Sequence, residues 1–123
     1  MRGAIMNIDE CEGRTCSVAV TVKLISGKWK PVILYYLLDG KLRFNELQSR
    51  LSGITHRALT LQLRELEKDG LVSRTIYPVI PPKVEYQLTD LGHSMKAIIL
   101  AMYDWGSDYQ KMQAKKIPFS KEV

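Results

Sequence analysis

Apolar residues recur along this chain with two periods, and each change of period marks a change of element. Up to residue 70 the spacing is helical, from Val72 to Leu88 it is two, and from Leu91 it is helical again. A first helix is predicted over residues 17 to 25, closed by Ser26 and Gly27. A second begins near Trp29, with Pro31 tolerated in its first turn, where the backbone N–H has no intrahelical partner. Val32, Ile33, Leu34, Tyr35, Tyr36, Leu37 and Leu38 then run unbroken to Asp39 and Gly40, so this is the expected central buried helix. Leu42, Arg43 and Phe44 read as a minimal strand. Asn45 is then the predicted cap of a short helix, ELQSRL, with Gln48 completing a capping box, and Ser52-Gly53 end it.

The next stretch, ITHRALTLQLRELEKDG, reads as one short helix with two faces. Thr55 is a good N-cap, Ile54 and Leu59 hold the positions of a hydrophobic staple, and Gly70 stands where a left-handed C-terminal cap is wanted. Leu59, Leu63 and Leu66 would bury one face, while the same rotation gathers Arg57, Thr60, Leu61, Arg64 and Lys68 on the other. Arg57 in the first turn opposes the helix dipole in the isolated protein, a conflict that a bound phosphate would relieve. His56 is a first-turn residue facing phosphate or water. A solvated basic face is the commoner fate of such a pattern, and its neighbours decide between the two. Helix, short turn containing Gly, basic amphipathic helix is the layout of a helix-turn-helix.

After Gly70, Val72, Arg74 and Ile76 alternate with Ser73, Thr75 and Tyr77; later Val84, Tyr86 and Leu88 alternate with Glu85 and Gln87. The loop between them, YPVIPPK, is stiffened by proline and too long for a tight hairpin turn. Two strands with an extended loop directly after a recognition helix make a wing rather than a plain surface hairpin. From Thr89 as N-cap one long helix is expected, with Asp90 placed favourably for the dipole. Along it Leu91, Met95, Ile98, Met102, Trp105, Tyr109 and Met112 form a heptad seam. Its proximal part reads as core and its distal part as a dimer seam, with Gly106 as the weak point.

Composition narrows the function classes. With 123 residues, 46% of them hydrophobic and 25% charged, the chain suits one globular domain with a real core. The net charge of +5 favours a polyanionic partner. Lys23, Lys28, Lys30, Lys41, Arg43 and Arg50 fall in one segment against only Asp39 and Glu46, whereas the start of the chain leans acidic. No apolar run approaches the ~20 residues of a membrane span. The N-terminus lacks the apolar stretch of a signal peptide, so a cytoplasmic, nucleoid-associated protein is expected. A metal site on Cys11 and Cys16 would need further ligands, yet His56 and His93 fall in other elements, so no metal and no cofactor are expected. No nucleophile–base set, phosphate-cradling glycine loop or paired-carboxylate motif appears, which excludes an enzyme reading.

Several blocks in order resemble one family. They are Cys16 with LISGKWK, Arg43-Phe44-Asn45-Glu46-Leu47, Leu59-Thr60 with LRELEKDGLV, Tyr77-Pro78, Pro81-Pro82-Lys83-Val84-Glu85-Tyr86, and Leu88-Thr89-Asp90-Leu91-Gly92. Each is weak alone; the ordered set, over roughly residues 16 to 109, resembles the HxlR-type winged-helix transcription regulators, relatives of the MarR type. The resemblance implies a homodimer on an inverted repeat, the helix from Thr55 in the major groove and the wing over the backbone. It implies, for some members, a thiol near the N-terminus that senses oxidants or electrophiles. Cys16 occupies that position here, although serine follows it where proline is common in the family, and Ser26 replaces a frequent glycine. Cys16 would precede the first helix, where the dipole and nearby cations favour a thiolate; Cys11 is the candidate resolving thiol within one subunit, and Cys16 pairing across the dimer is the alternative. The alternative for Cys16 is a small buried hydrophobe.

The expected fold is therefore α+β, mainly α: a winged helix-turn-helix with a two- or three-stranded antiparallel wing sheet and a long C-terminal dimerisation helix. The expected divisions are an arm over residues 1–15, the helix-turn-helix over 45–70, the wing over 71–88 and the dimerisation helix over 89–113. The expected contacts to double-stranded DNA are Asn45, Thr55, His56, Arg57, Thr60, Leu61, Arg64, Lys68 and Lys83. The expected dimer contacts are Ile98, Met102, Trp105, Tyr109 and Met112, with Trp29 as a core or dimer anchor. A pocket at the dimer seam could take an apolar effector. The competing function is a winged-helix module that binds protein and never DNA.

Overall fold

The structure, a computed structural model, describes residues 16–115. In chain order it contains α1 (Ser17–Ile25), α2 (Lys30–Leu37), β1 (Leu42–Arg43), α3 (Phe44–Arg50), α4 (His56–Lys68), β2 (Val72–Tyr77), β3 (Lys83–Leu88), α5 (Asp90–His93) and α6 (Lys96–Lys115). One sheet of three antiparallel strands, in the order β1-β3-β2, joins the helices as a wing. Among the described residues no helix is long and apolar enough to cross a membrane. The expected arm, with Cys11, lies outside the described residues.

The core forms where the apolar faces of the helices meet the base of the wing. Ile33, Leu34 and Leu37 of α2, Leu47 and Leu51 around the end of α3, and Leu59, Leu63 and Leu66 of α4 are fully buried. Leu71, Val72 and Leu88 close the bottom of the wing over them, and Met95 and Ile99 bring in the last helix. α4 forms as its sequence predicts. The Thr55 hydroxyl accepts from the Ala58 N–H at 3.0 Å, and Ile54 and Leu59 are both buried beside that cap. At the other end Gly70 takes φ +81°, and the Leu71 N–H reaches back to the Leu66 carbonyl at 3.0 Å.

Three expectations about the elements are corrected. The short helix is capped at Arg43, not Asn45: β1 hands over to α3 with no intervening loop, and the Arg43 N–H donates to Glu46 Oε1 at 2.7 Å. Glu46 thus does the work assigned to Gln48. Gln48 instead donates to the Ile54 carbonyl at 3.3 Å, bridging the turn into α4. The last helix is not continuous from Thr89. Thr89 caps only α5, and the chain tightens at Ser94, whose N–H is shared between the Asp90 and Leu91 carbonyls, before α6 begins.

Gly92 shows why α5 is held apart from α6. A side chain there would meet the Leu71 carbonyl, to which the Thr89 N–H already donates at 3.1 Å, so α5 is pressed against the start of the wing. The heptad seam is accordingly broken at its first member. Leu91 is exposed, whereas Met95 is buried. α6 itself runs unbroken through Gly106, so the interruption lies at Ser94 rather than at the glycine.

Candidate nucleic-acid interface

α4 stands clear of the core on the face opposite Leu59, Leu63 and Leu66. His56, Arg57, Thr60, Leu61 and Arg64 line one shallow depression along this face, and Lys68 is exposed one turn beyond Arg64. Their chemistry differs in useful ways. The Thr60 hydroxyl is tied back to the His56 carbonyl at 2.9 Å, and the His56 ring lies 4.5 Å, centroid to centroid, from Phe44. Leu61 is 54% exposed in the middle of the cationic face, where an apolar side chain suits a thymine methyl group. The Thr55 hydroxyl oxygen accepts the cap bond, and its O–H remains a donor.

The ion pairs sort the charges of α4. Glu65 is bound by Lys30 of α2 at 2.7 Å, and Glu67 by Arg74 of β2 at 3.5 Å. Among the described residues Arg57, Arg64 and Lys68 make no ion pair. The carboxylates of the helix are thus neutralised on its flanks, and the cations are left facing solvent. Lys30 is the cost of this arrangement: it is 8% exposed, the one buried charged residue among those described, and it is withdrawn from any surface role.

The wing differs from expectation at Lys83. The sequence pattern places that residue in the loop between the strands, but it begins β3 opposite Tyr77, and the tip is formed by residues 78–82. Its ammonium lies 4.8 Å from the centre of the Tyr77 ring and 3.5 Å from Glu85 Oε2, which leaves it half-buried. Lys41 approaches the other oxygen of Glu85 at 3.4 Å. Burial raises the Glu85 carboxyl, but the Tyr77 hydroxyl, Lys41 and Lys83 outweigh it and hold it below its ordinary value. Hydrogen bonding to Glu85 and its charge raise Lys41 in turn. Burial, opposed by Arg74, raises the Tyr86 hydroxyl. Sequence reasoning missed Lys41, Arg43, Arg74 and Glu85. The basic segment before Arg50 was the available signal for the first two. Asn45 is exposed within the first turn of α3.

A second surface lies on α6. Ile98, Met102, Trp105, Tyr109 and Met112 are all exposed along α6, Trp105 to 69%, and the Trp105 and Tyr109 rings stack with centroids 5.3 Å apart. Val18 and Val22 of α1 continue this apolar surface through Ile98. Trp29 packs against the core instead, with Lys28 over its ring at 4.7 Å. Between α2 and α6 a cleft of about 340 Å3 is lined by Pro31, Val32, Tyr35, Tyr36, Ile99, Met102 and Tyr103. Cys16, immediately before α1, is 4% exposed and disulfide-bonded. No group of side chains suited to a metal ion occurs among the described residues.

Residues 24–114 match the HxlR-like helix-turn-helix family. The chain belongs to that family. It is 52% identical over 102 residues to the uncharacterized HTH-type transcriptional regulator YdeP of Bacillus subtilis (strain 168), covering 83% of this chain and 78% of that protein. The redox regulator HypR in its oxidized form superposes with a TM-score of 0.73 at 50% identity, over 76% of this chain and 96% of that one. HypR in its reduced form gives a TM-score of 0.75 at 47% identity, over 80% and 97%. As a member of the HxlR-like family the protein is a transcriptional regulator of the helix-turn-helix type and not an enzyme. Its fold is the winged helix anticipated from the sequence.

Proposed function

We propose that this HxlR-like regulator is a cytoplasmic homodimer that binds an inverted repeat in double-stranded DNA, with α4 in the major groove and the wing over the adjacent backbone. The observation that carries the reading is the charge sorting on α4. Arg57, Arg64 and Lys68 face outward with Leu61 and Thr60 between them, while Glu65 and Glu67 are tied to Lys30 and Arg74. A merely solvated basic face would not need its carboxylates held aside. Thr55, His56, Arg57, Thr60, Leu61, Arg64 and Lys68 make the α4 contacts; Asn45 and Lys83 contact the backbone from either side. Two recognition helices must be linked for two half-sites, and the exposed seam of Ile98, Met102, Trp105, Tyr109 and Met112 on α6 supplies the link. An apolar effector would occupy the cleft between α2 and α6, which shares Met102 with that seam.

A second part of the reading concerns Cys16, with Cys11 as its intramolecular partner. Two thiols and one hydrogen peroxide give a disulfide and two waters, and a dithiol reductant restores the thiols as it is itself oxidised to a disulfide. The position of Cys16 before α1 supports a sensing role, because α1 meets Ile98 of the seam and would carry a change of its anchorage to the dimer. The names of the two HypR structures, oxidized and reduced, support it from outside this chain. Selection of bound duplexes from a random DNA pool, with the protein reduced and then oxidised, tests both parts. A dyad-symmetric sequence from the reduced or the oxidised protein is expected; no enrichment in either state overturns the DNA-binding reading.

A further inference from the structure

The register of the wing places a carboxylate at the centre of its cations. Arg43 of β1 and Thr75 of β2 stand opposite Glu85 on its two sides, so the three residues share one face of the sheet. Lys41 and Lys83 reach Glu85 from either end, at 3.4 Å and 3.5 Å. The lysines remain accessible, their side chains 55% and 35% exposed, while Glu85 beneath them is only 12% exposed. This is an unexpected place for an acid in a surface meant for phosphates. Stabilising the fold is a weak reason for it, since in each pair the lysine keeps substantial contact with solvent and such pairs contribute little.

We propose that Glu85 is a specificity-determining residue, offsetting Lys41, Arg43 and Lys83 so that the wing does not hold duplexes of unrelated sequence. The proposal rests on the DNA-binding reading above. Sequence-independent affinity comes almost wholly from cations that neutralise phosphates and release their counterions. A phosphate brought to Lys41 or Lys83 sits one ammonium away from the Glu85 charge and is repelled by it. Operator binding is affected less, because base contacts from α4 fix its register on the duplex, whereas unrelated duplexes are held by phosphate contacts alone and settle wherever wing cations are free. The difference between the two affinities, which is specificity, therefore widens. The lowered protonation tendency of Glu85 keeps that charge in place at neutral pH.

Glu85→Gln removes the charge and keeps the shape. Titration of a fluorescent random-sequence duplex, across a series of salt concentrations, should show affinity raised roughly threefold to tenfold and a salt slope steeper by about one. Affinity for the selected operator should rise less. Lys41→Gln, a change at an exposed side chain, gives a second arm should Glu85→Gln fold poorly. In the parent it should change random-duplex affinity less than twofold and the slope by well under the value of ~0.9 that a full phosphate contact contributes. In the Glu85→Gln background it should return affinity toward the parent value, which a wing that had merely loosened would not do. Random-duplex binding that is unchanged or weaker in Glu85→Gln, or a full unit of slope lost in Lys41→Gln alone, overturns the proposal while operator binding keeps the broader reading intact. Absence of DNA binding in the parent overturns both.

Discussion

The pair between Lys30 and Glu65 couples α4 to α2, and its two members should not be equivalent. Lys30 has a side chain 10% exposed, Glu65 one that is 45% exposed, and their charged atoms are 2.7 Å apart. Glu65→Ala strands an ammonium in the core. Breaking a fully buried pair in this way costs ~3–5 kcal/mol, and an exposed pair contributes ~0.2–1 kcal/mol. With one partner nearly half in solvent, about 1.5–3 kcal/mol is expected after allowing for water at the Glu65 end. Lys30→Met leaves the other partner, a carboxylate that water can reach, and fills the space with an apolar side chain of similar length; about 0–1 kcal/mol is expected. The double variant should resemble Lys30→Met alone, because the stranded charge is gone. Urea unfolding followed by circular dichroism measures all three, at one fixed protein concentration because association would shift the midpoints. At a slope of ~1–3 kcal/mol per molar urea, Glu65→Ala should lower the midpoint by about 0.5–3 M. If Lys30→Met is the more damaging of the two, the burial argument is wrong.

Much of this architecture was legible because it rests on local signals. The Thr55 cap, the Gly70 stop and the Leu59, Leu63, Leu66 face are all written within one stretch, and α4 forms where they predict. The change of period after Gly70 likewise located both long wing strands. What was not legible depends on partners distant in sequence. Lys30 reads as one more cation in a basic segment; its burial follows only from Glu65 lying across the core from it. Glu85 reads as the polar position of an alternating strand, and its importance comes from β1 pairing beside it. The break before α6 escaped notice because heptad spacing continues across it. A helix period carries no record of Gly92 meeting the Leu71 carbonyl. At Arg43 the error was one of competition: Asn45 is the better cap by residue type, but the strand ends at Arg43 and Glu46 is already in reach.

Four further outcomes follow from the same contacts. Replacing Arg57 or Arg64 by alanine should cost ~1–3 kcal/mol and relax one operator position if the side chain reads a base edge, or weaken all sequences alike if it holds a phosphate; unchanged affinity in the double variant refutes the α4 docking. Cys16→Ser should abolish any reversible loss or gain of operator affinity on peroxide and thiol treatment, and Cys11→Ser should do so only if Cys11 is the resolving thiol; a Cys16→Ser protein that responds like the parent removes the switch from this residue. The Glu85 carboxyl is depressed in the fold, so its stabilisation is present above its unfolded value and lost as pH falls through the folded one. Lys41 is raised, so its share is present below its unfolded value and lost as pH rises through the folded one. The stability difference between parent and Glu85→Gln should therefore shrink on acidification below about pH 4, and a difference that grows there contradicts the assignment. The last concerns the seam. Met102 is 46% exposed in the single chain, so aspartate there is solvated in a lone protomer and leaves its fold intact. In a dimer sealed by α6 the same carboxylate is buried without a partner, a penalty large enough to oppose association. Met102→Asp should then sediment as a folded monomer and lose operator binding, since one protomer holds only one half-site. A variant that stays dimeric and binds the operator normally would show that α6 does not join the subunits.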